Sequence, residues 1–391
     1  MQRGSFRLMK SVNKSIILNK IRTHEPISRA QIAKDTKLTP PTVSSIVKEL
    51  IDQGIVIESD SGQSMGGRKP TMLHINSKAF YIVGVDAGPE RIECILTDFA
   101  GNIVNRSSAK LALPISNDQF LSILKKSIRD VINEIPIGDR EIMGIGIAMH
   151  GVVDVSKGTS LIAPNLKLTN IPIKEELETE FNVMIKVEND ARAMAMGESW
   201  FGGHGELDSM VAVNLGRGVG AGMVVNGKLF HGAQNIAGEI GHMTIDINGE
   251  VCECGNRGCL QTFATGSAIA ERARKKLEDM ANPITPTAEV VFELAKSGNT
   301  AYVGILHETG MIIGIGLTNL IHLVNPRKIV LGGGVMKSQA YILPAIHQTI
   351  EERILTPKAK KTEVVVTNLG EDATLLGAVS LLLEEFFYPV S

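Results

Sequence analysis

The chain has 391 residues, too many for one hydrophobic core, so two or three domains are expected from length alone. Its 43% hydrophobic and 21% charged residues are those of an ordinary globular protein, and four cysteines exclude a disulfide scaffold. The net charge of −2 conceals an asymmetry: residues 1–80 hold 13 Lys/Arg against 6 Asp/Glu, a net of +7, and the remainder holds 27 against 36, a net of −9.

A basic N-terminal module on an acidic body fits nucleic-acid contact at that end. The first residues, MQRGSFRLMKSVNKS, are polar and basic, without the layout of a secretory leader. No run of about 18 apolar residues occurs. A cytoplasmic protein without a membrane partner is expected.

Residues 13–23, NKSIILNKIRT, predict a helix through Ile16, Ile17, Leu18 and Ile21. Ser28 then caps a second helix, with Gln31 three residues on in a capping-box arrangement. A turn at Lys37-Leu38 leads to Thr39, which caps a third helix whose first turn tolerates Pro40 and Pro41. Val43, Ile46, Val47, Leu50 and Ile51 form its apolar stripe, and Gly54 ends it. Three helices with a short turn between the last two describe a helix-turn-helix, whose third helix reads DNA. Thr39, Thr42, Ser44, Ser45 and Lys48 lie off the stripe and are candidate contacts, with Arg29 at the start of the second helix. Strands at 55–58 and 71–75 flank a tip, GGRKP, that reads as a wing laying Arg68 and Lys69 along DNA; a plain surface hairpin is the alternative. Residues 1–77 are therefore expected to be a winged helix-turn-helix domain.

Beyond it, FYIVGVD (80–86) and ECILTDFAGNIV predict strand, hairpin and strand around Ala100-Gly101-Asn102. Residues 144–154, GIGIAMHGVVD, and 183–190, VMIKVEND, predict two more strands, the second delivering Asn189 and Asp190 to its C-terminal end, where ligands of open α/β sheets sit. SMVAVNLGRGVGAGMVVNGKLF predicts two strands around a glycine-rich turn, and PRKIVLGGGV a strand before a glycine triplet. Helices are expected at 118–134, 265–280, 286–297, 301–324, 341–353 and 373–386. Cys252, Cys254 and Cys259 in CECGNRGC, with His242 ten residues before the first, form a set suited to tetrahedral Zn²⁺; reduced surface thiols are the alternative. Cys94, inside RIECIL, reads as a core residue.

In their order, VDAG, END, LGRGVGAG, GEIGHMTID, CECGNRGCLQ and VLGGG resemble the ROK family of repressors, open reading frames and sugar kinases across essentially the whole chain. With its N-terminal module the chain is similar to the repressor branch, which includes xylose repressors and the regulators of glucose and N-acetylglucosamine use. The resemblance implies an α/β fold: the winged helix-turn-helix plus a two-lobed, actin-like (RNase-H-like) sugar-kinase fold. Its first lobe is expected over 78–195, joined by a C-terminal helix at 371–391, and its second over 196–370. It implies a structural zinc on His242, Cys252, Cys254 and Cys259. It also implies sugar contacts from Asn189, Asp190, Glu239 and His242, with Gly151 and Asn165 nearby, and Gln261 where many members have Glu.

Two departures argue against catalysis. Kinase members carry an Asp-x-Gly-Gly-Thr-Lys type loop, whereas this chain has DAGPER, in which Pro89 lacks an N–H donor and Glu90 opposes a phosphate. In LGRGVGAG, Arg217 replaces a small hydroxyl residue, a less decisive change because a cation still attracts phosphate. Asp190, the base in a kinase, is kept. The sequence therefore predicts a sugar-responsive repressor binding a pseudo-palindromic operator as a homodimer or homotetramer. An ATP-dependent aldose kinase with an accessory DNA module is the alternative, and a phosphotransferase protein could be a further partner.

Overall fold

The computed structural model describes residues 3–59, 70–133, 141–205, 207–277 and 287–388, with side chains from residue 12 onward. The N-terminal module is built from α1 (Arg3–His24), β1 (Ile27–Ser28), α2 (Arg29–Thr36), α3 (Pro40–Asp52), β2 (Val56–Ser59) and β3 (Met72–Ile75). Helix α1 begins ten residues before the predicted start. Ser28 Oγ accepts from Gln31 N at 3.2 Å and caps α2. The reciprocal half of the capping box is absent, because the Gln31 amide donates to Asp35 at 2.5 Å instead. Lys37 turns the chain in a left-handed conformation, and Thr39 caps α3 above Pro40 and Pro41. The predicted stripe of α3 buries Val43, Ile46, Val47 and Leu50 in one core with Ile17, Leu18, Ile21 and Ile32. Strands β1, β3 and β2 form the antiparallel base of the wing. Its tip, with Arg68 and Lys69, lies outside the described residues.

The first lobe contains β4 (Tyr81–Ala87), β5 (Arg91–Asp98), β6 (Ile103–Lys110), α4 (Asn117–Asn133), β7 (Ile142–Met149), β8 (Val152–Asp154), β9 (Thr159–Ala163), β10 (Leu168–Ile171), α5 (Ile173–Phe181) and β11 (Met184–Asn189). Helix α6 (Asp190–Phe201) follows. The second lobe contains β12 (Ser209–Leu215), β13 (Val219–Val225), β14 (Lys228–Leu229), α7 (Gln261–Ala264), α8 (Gly266–Leu277), α9 (Ala288–Lys296), α10 (Thr300–Val324), β15 (Lys328–Gly332), α11 (Gln339–Arg353) and β16 (Glu363–Val366). Helix α12 (Ala373–Phe387) closes the described chain.

The two five-stranded sheets, β11-β7-β4-β5-β6 and β14-β13-β12-β15-β16, share one pattern. In each, three consecutive antiparallel strands are extended by two parallel ones. The predicted strand over 144–154 is two strands, β7 and β8, because Gly151 takes φ +87° and turns the chain. Among the described residues one helix, α10, is long and apolar enough to cross a membrane; 61% of that window is buried, and the helix packs on α9 and α11.

Helix α6 lies between the lobes, against β12 and β13 on one side and α12 on the other, and α12 covers β4 and β7. A division of the lobes at residue 195 thus falls inside a continuous helix. Both contacts are made backbone to backbone. A Cβ on Gly377 would lie 1.9 Å from Ala193 O, and one on Gly222 would lie 2.7 Å from Ala191 O.

The N-terminal module shares its core with the lobes. Its apolar residues form one cluster with Ile82, Phe99, Met194, Leu382 and Phe387. At the junction, Asn19 Nδ2 of α1 donates to Phe387 O at 3.0 Å, and the Arg22 guanidinium lies 4.0 Å from the centre of the Trp200 ring. Phe80, Phe99 and Phe386 meet edge to face, Phe387 stacks on Phe99, and Trp200 meets Phe387 edge to face.

Candidate functional site

Parallel strands β4, β7 and β11 end side by side, with Ala87 opposite Met149 and Met149 opposite Asn189. Their C-terminal ends bring Asp86, His150 and Asp190 to the floor of the cleft between the lobes, as expected for an open α/β sheet. Asp190 is the first residue of α6, and Asn189 is its cap: Asn189 Oδ1 accepts from Ala191 N at 3.0 Å and Arg192 N at 3.1 Å. Asn189 Nδ2 donates to Gly151 O at 3.0 Å and to Asp190 Oδ1 at 2.9 Å. The Asn189 amide is therefore fully engaged in holding Asp190 and the β7–β8 turn, and Asp190 Oδ2 is the carboxylate oxygen outside these bonds.

Burial pushes the Asp190 carboxyl above the usual range, against the pull of His150. Burial, then the charges of Asp190 and Glu93, push Asp86 up to about 7. Perturbed carboxyls gathered in a cleft mark a functional site. Gly151 lies against the next turn, where a Cβ would meet Ile162 O at 2.1 Å and Pro164 Cδ at 2.9 Å. This places exposed Asn165, in the single turn Pro164–Leu166, beside the same floor.

Across the cleft, Glu239 precedes a single 3₁₀ turn, Ile240–His242. Loss of solvent raises the Glu239 carboxyl, His242 and Arg192 oppose the shift, and Asp190 adds to it, so the residue lies within charge range of the floor. The ligand atoms of His242, Cys252, Cys254 and Cys259 all lie within 4.8 Å of one another. His242 Nδ1 is 3.7 Å from Cys252 Sγ, and Cys254 Sγ is 3.7 Å from Cys259 Sγ. Tetrahedral zinc with ordinary Zn–N and Zn–S bonds sets such atoms about 3.6–3.8 Å apart, so the residues fit the ion. The Asn256 backbone N–H holds the Cys254 thiol below its usual range, whereas burial pushes Cys94 up to about 12, as suits an inert core thiol. Gln261, expected among the sugar contacts, donates its amide to Cys252 Sγ at 3.3 Å, which makes it a neighbour of the cluster.

The two loops that would hold phosphate are joined to each other. Arg217, between β12 and β13, forms an ion pair with Glu90, between β4 and β5. Carboxylate and guanidinium thus neutralise one another across the cleft.

On the helix-turn-helix face, Ser44, Ser45 and Lys48 of α3 are exposed. Thr39 and Thr42 are bonded hydroxyl to hydroxyl at 2.8 Å. Arg29 is paired with Glu58 of the wing at 2.5 Å, so a phosphate must compete for it. A shallow groove between α2 and α3 is lined by Ala33, Lys34, Leu38 and Ser44.

Sequence reasoning missed His150 and a buried group around Glu188. Glu188, 2% exposed, binds Arg192 Nε and His231 Nε2, each at 2.7 Å, and so ties β11 to the second lobe. Burial would raise its carboxyl, but His231 and Arg192 hold it below the usual range. The available signal was position: Glu188 opens the END motif, and His150 lies at a predicted strand end directly before Gly151.

Residues 82–385 match the family model described as ROK family, and residues 15–57 match that of a winged helix-turn-helix DNA-binding domain. The xylose repressor of Bacillus subtilis strain 168 is 33% identical over 380 residues, covering 97% of this chain and 96% of that protein. The DNA-binding transcriptional dual regulator NagC of Escherichia coli K12 is 30% identical over 387 residues, covering 97% and 94%. A crystal structure of a ROK family transcriptional regulator, a homolog of the E. coli MLC protein, superposes with a TM-score of 0.86 at 25% identity, covering 97% of each chain. A ROK family glucokinase from Streptomyces griseus, in complex with glucose and AMPPNP, superposes with a TM-score of 0.69 at 26% identity; it covers 77% of this chain and 98% of its own.

Proposed function

The chain belongs to the ROK family, and from that membership we propose that it is a sugar-responsive transcriptional repressor. Residues 1–77 bind operator DNA. The cleft between lobes 78–195 and 196–370, with α6 shared between them, binds the sugar. A homodimer presents two copies of α3 to a pseudo-palindromic site, and Ser44, Ser45 and Lys48 face the bases and phosphates. Thr39 and Thr42 lie at the same helix end and Arg29 flanks it, and Arg68 and Lys69 of the GGRKP segment are further candidate DNA contacts.

D-Xylose is the first effector to try, since relatives that match nearly end to end are named for it. Asp190, Glu239 and His242 contact its hydroxyls; Asn189 and Gly151 hold Asp190 in place, and Asn165 closes one side. His242, Cys252, Cys254 and Cys259 would hold a zinc ion, which would fix the His242 ring and leave one ring nitrogen as a polar edge toward the cleft. Four protein ligands leave no open position, so the ion is structural. A cytoplasmic location follows from operator binding.

The observation that carries this reading is the path of α6. It starts at Asp190 on the cleft floor and ends at Trp200 and Phe201, where Trp200 lies under Arg22 of the DNA-binding module. A sugar that binds one placement of α6 better than another biases the seating of α1 and hence operator affinity.

The test is a thermal-shift panel of D-xylose, D-glucose, N-acetyl-D-glucosamine and ATP, followed by operator titration with and without the binding sugar. A shift with one sugar, none with ATP, and a changed operator affinity are expected. ADP formation that disappears in Asp190→Ala would overturn the reading in favour of a kinase.

A further inference from the structure

His150 is 6% exposed and follows β7 directly. Its Nδ1 lies 3.0 Å from Ala87 O. A carbonyl oxygen only accepts, so Nδ1 carries the proton and Nε2 of the neutral ring is a bare acceptor. Nε2 is buried and has no hydrogen-bond partner among the described residues. An acceptor left so costs stability, and its persistence points to a donor supplied from outside the chain.

The surroundings indicate which donor. His150 sits between the ends of β4 and β11, next to Gly151, whose carbonyl is bonded to Asn189. It lies near Asp190, and Asp190 in turn lies near Asp86. Burial raises both carboxyls, Asp86 to about 7, so this floor sets polar oxygens, with a partly protonated one at Asp86, beside the His150 acceptor. Such a surface suits a polyhydroxylated neutral molecule and disfavours an anion.

We propose that His150 sets effector specificity, its Nε2 accepting a hydrogen bond from one hydroxyl of a neutral sugar lying across Asp190. This rests on the sugar-sensing reading above. A site built to accept from a hydroxyl rejects the analogue that lacks it, because the buried acceptor is again unpaired.

Calorimetry on the full-length protein tests this. D-Xylose, D-glucose and N-acetyl-D-glucosamine are titrated first, and the one that binds is then compared with its monodeoxy analogues in wild type, His150→Phe and His150→Gln. His150→Phe is expected to weaken the parent sugar by about ten- to a hundredfold. One deoxy position, poor for wild type, should lose nothing further in His150→Phe, and His150→Gln, which restores an acceptor, should recover part of the affinity. Unchanged affinity in His150→Phe overturns the proposal. So does the same fold-loss for parent and every analogue, which marks a residue acting only through the fold. If wild type binds none of the sugars, the sugar-sensing reading fails first and takes this inference with it.

Discussion

Replacing Asp86 by Asn tests the electrostatics of the cleft floor. Its carboxyl titrates near pH 7 in the folded chain, against an unperturbed value of 3.8. Below pH 4 both states hold the proton, and above pH 7 neither does. Between these limits the folded chain binds the extra proton, so the contribution of Asp86 to stability falls as pH rises through the window. Three pH units correspond to about 4 kcal/mol in full. The partial opening of Asp86 to the cleft screens it, and about 1–2 kcal/mol between pH 5 and pH 8 is a realistic share. The amide keeps the shape of the carboxyl and removes the charge. Thermal melts of both proteins from pH 5 to 8 should therefore diverge, with Asp86→Asn gaining about 1–3 °C over wild type toward pH 8. Protonation of the Cys3His cluster affects both proteins alike and cancels in the difference. Parallel melting curves across this range would show that Asp86 is an ordinary ionised carboxylate, and the argument for a partly protonated floor would fall with it.

Two further substitutions probe the other parts. Cys254→Ser should lower zinc content and melting temperature together, and full zinc stoichiometry in that protein would remove Cys254 from the ligand set. Trp200→Ala removes the ring beneath Arg22; sugar affinity should persist, while the sugar-induced change in operator affinity should shrink several-fold from a typical 5- to 150-fold coupling. A wild-type response would show that the signal does not pass through the end of α6.

Much of this arrangement was legible in the residues. The stripe of α3 and the caps at Ser28 and Thr39 are local signals, and local signals placed the helix-turn-helix. The three clustered cysteines and His242 meet as a compact ligand set because short glycine-bearing loops leave them little freedom. Bonds to distant partners were not legible. The Asn189 amide, expected at the sugar, is also bonded to Gly151, Ala191 and Arg192. Gln261, expected there too, also donates to Cys252. Helix α6 was not foreseen, since burial on two sides erases the amphipathic period from which helices are read. The glycines of LGRGVGAG resembled a phosphate loop, yet Gly222 is small because α6 crosses directly over it.

That last point bears on how a kinase architecture can become a sensor. Two elements of a phosphate-transfer site have other uses here: the glycine-rich strand seats α6, and Glu90 and Arg217 close on each other where charge would otherwise await a nucleotide. An exposed ion pair contributes at most about 1 kcal/mol, so Glu90–Arg217 is too weak to lock the lobes. A phosphate would nevertheless have to compete with Glu90 for Arg217 and would meet the carboxylate's charge there. The lobes can then move without a nucleotide in the cleft, and the strong ties lie elsewhere: Glu188 with Arg192 and His231, beside the start of α6, and the packed aromatic cluster at its far end. Under the proposed coupling, a displacement at Asp190 would be carried along α6 to Trp200, which is what Trp200→Ala tests.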